Sequence, residues 1–145
     1  MTWTQIEFNK LNARQKENFN FQKIAAVLAD YGFNCIKLTD DWNGADFLAY
    51  HIDGETTLKV QLKSRLTVAK KYQYKNIYMA FPINDKWCLI EHDELLTIVN
   101  EVSPSWFQTV SWNENGKYGT GKVSLVLQQK LQPYLLQTMN TVSEF

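Results

Sequence analysis

The chain has 145 residues, 45% of them hydrophobic and 14% aromatic, which excludes a disordered tail and is enough for one domain with a real core. Fifteen basic and fifteen acidic residues cancel to a formal charge of zero, so no global field announces a polyanionic partner. The two cysteines, Cys35 and Cys88, lie in apolar runs and read as buried thiols of a reducing compartment, and with His51 and His92 they make no clustered zinc-ligand set. The first residues lack the apolar core of a secretory signal and no run approaches membrane-spanning length, so a cytoplasmic protein without membrane contact is expected.

In chain order, residues 1–12 are mixed, a short helix or an arm. Residues 13–31 have helical spacing, with Phe21, Ile24, Leu28 and Tyr31 three and four apart, and Gly32 is a natural stop. Four positions before Phe21 stands Glu17, an acid on the stripe expected to be buried; the alternative is a first-turn acid favoured by the helix dipole. Residues 33–38 read as a strand and 39–44 as a loop.

Residues 46–63 read as a β-hairpin. Two alternating runs meet at Asp53-Gly54, a dipeptide suited to a two-residue type I′ turn. Such a turn sets Asp46 opposite Gln61, Phe47 opposite Val60 and Ala49 opposite Leu58, and opposed residues share a face. One face is then apolar. The other gathers Asp46, Lys59, Gln61 and Lys63, together with Leu48 and Tyr50. A carboxylate and an amide oxygen beside lysine can hold a hard divalent cation and orient a water or a phosphate; the plainer alternative is a solvated strand face.

Positive charge concentrates just beyond. Residues 59–75 carry Lys59, Lys63, Arg65, Lys70, Lys71 and Lys75 with no acid, and Tyr72 and Tyr74 are interleaved. This is a local basic patch or, equally, a loop kept soluble by its charge. Residues 64–74 read as a loop or one short helix. Strands at 76–83 and 86–91 are joined by Asn84-Asp85, and a helix at 92–101 is announced by Asp93 and Glu94. Helix-start chemistry explains Glu91, Asp93 and Glu94 more simply than a metal does. Residues 103–121 are turn-rich, with Trp106 and Trp112 as anchors. A last helix spans about 122–137, with Val123, Val126, Leu127 and Leu131 inward and Pro133 at a kink. The order predicts an α/β (α+β) sandwich on a mixed sheet with the hairpin at its centre. It reads as a single domain over 1–145, with a core of about 13–101 and a helical extension at 102–145.

A first helix followed by a hairpin with Asp on one strand and Gln-x-Lys on the next resembles the PD-(D/E)XK nuclease superfamily, of restriction-endonuclease-like fold. Gly44-Ala45-Asp46 matches the Pro-Asp element and Gln61-Leu62-Lys63 the acid-x-lysine element, with Glu17 as the first-helix acid, over about residues 13 to 91. Ala45 replaces a proline that shapes backbone, and Gln61 replaces the more common acid and removes one negative charge. The resemblance implies phosphodiester hydrolysis with Mg²⁺ or Mn²⁺. Asp46, the Gln61 side chain and the Leu62 carbonyl would hold the ion, aided by Glu17, and Lys63 would orient the attacking water. Lys59, Arg65, Lys70, Lys71, Lys75, Tyr72 and Tyr74 would track nucleic acid, DNA before RNA. A homodimer is an open alternative for the assembly. The competing expectations are a weakened, non-cutting module of the same fold that binds nucleic acid or a protein partner, and an interaction protein whose polar hairpin face is only surface.

Overall fold

The computed structural model describes residues 1–139, so the last six residues of the expected C-terminal extension lie outside the described part. Helix α1 (Ala13–Ala29) starts where Asn12 and Gln15 satisfy each other: the Asn12 side chain accepts the Gln15 N–H at 2.9 Å, and the Gln15 side chain accepts the Asn12 N–H at 3.0 Å. Gly32, at φ 85°, ends it and turns the chain into the sheet.

Five strands form the main sheet: β1 (Phe33–Trp42), β2 (Ala45–His51), β3 (Thr57–Leu62) and, beyond a small sheet of β4 (Leu66–Ala69) with β7 (Lys117–Thr120), β5 (Ile77–Ile83) and β6 (Lys86–Glu91). Its order is β1-β2-β3-β5-β6, antiparallel except for the parallel β3–β5 pair. The expected mixed sheet is present, and the β2–β3 hairpin lies within it rather than at an edge. Helices α2 (His92–Val102), α3 (Val110–Asn115) and α4 (Leu125–Leu131) follow or flank β7.

The hairpin register is the expected one, with Phe47 opposite Val60 and Ala49 opposite Leu58. The turn is different. The His51 N–H bonds the Thr56 carbonyl at 2.9 Å and the Gly54 N–H bonds the His51 carbonyl at 3.1 Å, so the loop is four residues, 52–55. Gly54 has φ 74° but Asp53 has no positive φ, which a type I′ turn would require. Opening a hairpin by one residue on each strand leaves the pairing unchanged. The register therefore survives the error in turn type.

Alternation along these strands builds two cores. On one face Phe47, Ala49, Val60 and Ala80 pack under Ile24 and Leu28 of α1. On the other, Ile77, Met79, Phe81, Cys88 and Ile90 meet Leu66, Val68, Leu95, Val99 and Trp112 from β4, α2 and α3. Cys35 packs on the first face and Cys88 on the second, and both are free thiols. Burial pushes Cys35 up to about 11 and Cys88 to about 12.

Several local expectations are corrected. Strand β1 runs on to Trp42, into the predicted 39–44 loop, with a register shift between Lys37 and Trp42, and only residues 43 and 44 are left to turn. The basic stretch at 64–74 contains β4 and a 3₁₀ turn at Lys70–Tyr72, because β4 finds its partner, β7, in the region expected to be only turns. The last helix stops at Leu131, since Pro133 cannot continue it, and Val126 is exposed while Leu127 and Leu131 are buried. Glu17 is exposed. The helical stripe buries only Ile24 and Leu28, in the second half of α1, and Tyr31 beyond them is exposed as well.

Candidate functional site

Asp46 stands where the β2–β3 ladder gives out. The last register pair is Phe47 with Val60, and the next step places Asp46 across from Gln61. The Lys63 N–H bonds the Ala80 carbonyl of β5 at 2.9 Å. Alternation turns the preceding Leu62 N–H toward β2, where Asp46 Oδ2 accepts it at 2.8 Å. One carboxylate oxygen is thereby fixed by backbone.

Gln61 pairs with Met79 in the parallel ladder and so points into the larger core. It is 6% exposed, and its Oε1 is buried with no hydrogen-bond partner among the described residues. Leaving such an acceptor unsatisfied costs about 1–3 kcal/mol. Lys63 holds its Nζ 5.8 Å from the centre of the Tyr72 ring, and Lys71 Nζ lies 5.2 Å from the same centre. Tyr72 is buried against the β1–β2 turn: a Cβ on Gly44 would come within 3.5 Å of its ring, and the φ of 85° there suits glycine.

Beside this group opens a cavity of about 520 Å³ lined by Asn43, Gly44, Lys59, Lys71, Tyr72, Tyr74, Lys75 and Asn76. Among the described residues, three lysines and no acid line it. Lys59 Nζ donates to the Lys75 carbonyl at 2.8 Å, which ties β3 to the segment before β5. Four of the lining residues have left-handed backbone: Asn43 at φ 53°, Gly44 at 85°, Tyr74 at 61° and Asn76 at 55°. Asparagine tolerates that region, but for tyrosine it stores strain of order 1–3 kcal/mol.

His92 and Asp93 hold this strained segment in place. The wholly buried His92 accepts the Ala69 N–H on Nε2 at 3.1 Å, so Nδ1 carries the proton and donates to Asp93 Oδ1 at 3.1 Å. Asp93 Oδ2 in turn accepts the Tyr74 N–H at 2.9 Å. The His92 ring meets Tyr72 edge-on, with centres 5.6 Å apart. Sequence reasoning passed over this pair as helix-start chemistry. That role holds as well: Asp93 and Glu94 lie in the first turn of α2, and the Glu91 side chain caps it by accepting the Glu94 N–H at 3.0 Å. A histidine beside an acid, where an apolar strand meets a helix, was the available signal.

The remaining predicted residues divide. Lys59, Lys71, Lys75, Tyr72 and Tyr74 surround the cavity. Lys70 turns away, its Nζ 5.4 Å from the Trp112 ring centre, and Arg65 lies beside β7 in a separate cleft of about 200 Å³. Glu17 lines a groove of about 730 Å³ with Arg14, Asn18, Lys37, Leu38 and Thr39. The Lys37 side chain there bonds Asn18 and lies against Phe21, which puts this groove on the α1 side of the sheet. Among the described residues no three histidine, cysteine or acidic side chains gather into a metal-sized group. Among the described residues, one carboxylate with amide and carbonyl oxygens could hold an ion here, a donor set that suits a hard cation.

No protein-family model matches the chain. No curated protein matches it either. Among solved structures it is similar to a bacterial homing endonuclease, I-Ssp6803I, at 12% identity and a TM-score of 0.43, over 85% of this chain and 94% of that one. No helix among the described residues is long and apolar enough to cross a membrane.

Proposed function

We propose that the chain is a metal-dependent endonuclease that hydrolyses phosphodiester bonds of nucleic acid, DNA before RNA, at a PD-(D/E)XK-like site of Asp46, Gln61 and Lys63. The observation that carries this reading is Gln61: an acceptor oxygen buried without a partner among the described residues, across from a carboxylate fixed by backbone. A strand with a purely structural task would place an apolar side chain there. Asp46, Gln61 Oε1 and the Leu62 carbonyl would hold Mg²⁺ or Mn²⁺, and the bound ion would supply a Lewis acid and a more acidic water. Lys63 would orient the attacking water and steady the charge that grows on the phosphoryl oxygens. Lys59, Lys71 and Lys75 bind the flanking phosphates. Glu17, exposed on α1, would join only if the bound strand drew the two sides of the site together.

The test is cleavage of plasmid and branched DNA with Mg²⁺ or Mn²⁺, run beside Lys63→Ala. Cutting by the wild type that Lys63→Ala abolishes is the expected result; equal products from both chains would refute the assignment.

A second reading, a non-cutting nucleic-acid-binding module, is favoured by the neutral Gln61 and by the engagement of Asp46 Oδ2 with the Leu62 N–H. Tight binding with no cutting, in the wild type and in Gln61→Glu alike, would select it.

A further inference from the structure

We propose that the lysine-lined cavity beside Asp46 is a single-nucleotide subsite, which takes one unpaired nucleotide of the bound strand, its phosphate on Lys71 and Lys75 and its base on the ring of Tyr74. This deepens the proposed function by naming the substrate class: nucleic acid with a displaced, bulged or single-stranded nucleotide next to the cut.

A phosphate site alone would need the lysines and little room. This cavity, at about 520 Å³, falls in the size range of small-ligand pockets and has an aromatic wall. Tyr74 is 89% exposed, yet its backbone is held in the left-handed region by the Asp93 carboxylate. An aromatic ring open to solvent on an anchored backbone is available as a stacking platform, and every base has a face to lay on it. Asn43 and Asn76, both held at positive φ, present amides at the rim, and amides can donate to and accept from the edge of an unpaired base. In a paired duplex that edge is occupied by the opposite strand. The cavity therefore discriminates by pairing state, which a plain basic surface cannot do.

The experiment measures binding by the Asp46→Asn chain in EDTA, so that no cutting is required. Fluorescence anisotropy compares a fully paired duplex, the same duplex with a one-nucleotide bulge, and a single strand; deoxynucleoside monophosphates and inorganic phosphate serve as competitors. The bulged and single-stranded DNAs should bind about tenfold more tightly than the paired duplex. Tyr74→Ala should erase that preference and Tyr74→Phe retain it, while Lys71→Ala weakens binding to all three. The nucleotides should compete better than inorganic phosphate. Equal affinity for paired and bulged DNA, a preference that survives Tyr74→Ala, or phosphate competing as well as a nucleotide would each overturn the proposal. None of these outcomes bears on whether the wild type cuts DNA with Mg²⁺, so the two readings fail separately.

Discussion

The two faces of the β2–β3 hairpin are built from alternate residues of the same two strands, yet they obey different rules. Toward α1, Phe47, Ala49 and Val60 are fully buried, and Phe47 meets Phe21 edge-on with ring centres 5.2 Å apart. Among the described residues no polar side chain is buried on that face. On the other face the same strands present Asp46, Lys59 and Gln61, and Gln61 enters a core that could have accepted an apolar side chain, its amide oxygen buried without a partner among the described residues. Stability explains the first face completely. On the second it is given up locally, as is usual where binding or chemistry sets the residue.

Substitutions that separate the faces test this contrast. Asp46→Ala and Lys63→Ala should lower cleavage by about 100-fold or more, the usual effect of removing one transition-state contact. The melting temperature should move by only about 2–4 °C per kcal/mol, and Asp46→Ala forfeits the bond to the Leu62 N–H. Phe47→Ala is the mirror experiment. Urea unfolding should show a loss of about 3–5 kcal/mol, while activity per folded molecule holds. A Phe47 variant that folds normally but cannot cut would erase the distinction between the faces.

Gln61 gives a smaller, two-sided effect. Gln61→Met keeps the volume and removes the unsatisfied acceptor, so it should stabilise the fold by about 1 kcal/mol while ending cleavage. Gln61→Glu restores a charge toward the proposed metal, and activity titrated against Mg²⁺ should then saturate at lower concentration. Gln61→Met that is both less stable and fully active would make the buried amide structural.

The hairpin faces, their register, α1 and α2 were legible because two-residue and 3.6-residue periods are local properties of the sequence. Asp46 and Gln61 followed from that register. The exposure of Glu17 was not legible, since a helical stripe shows which side faces inward but not how far along its length the sheet supports it. Nor was the 64–74 region, where β4 takes its partner from β7, some fifty residues later in the chain. The His92–Asp93 link to Ala69 and Tyr74 was hidden for the same reason: its partners lie about twenty residues away in sequence. What the sequence could not express were pairings that close only when the sheet does.

The smallest expected effect concerns the turn that holds the register in place. Asp53 Oδ1 accepts the N–H groups of Glu55 and Thr56, each at 2.8 Å, and Oδ2 accepts the Thr56 hydroxyl at 2.7 Å. The Thr56 hydroxyl, then the Thr56 and Glu55 N–H groups, hold this carboxyl well below its ordinary value, with His51 adding a minor contribution. A carboxyl that binds its proton less tightly folded than unfolded stabilises the fold fully above its unfolded value near 3.8, and loses that contribution as pH falls toward the folded value. Asp53→Ala should therefore lower the melting temperature slightly at pH 7, and the gap from wild type should narrow steadily below about pH 4. The carboxylate is at the surface, so added salt should shrink only the part of the effect that comes from charge. If the gap is the same at pH 7 and pH 2, Asp53 acts through its shape and not its charge. The hairpin would then keep its register without the ionised form, leaving the separation of the two faces to alternation alone.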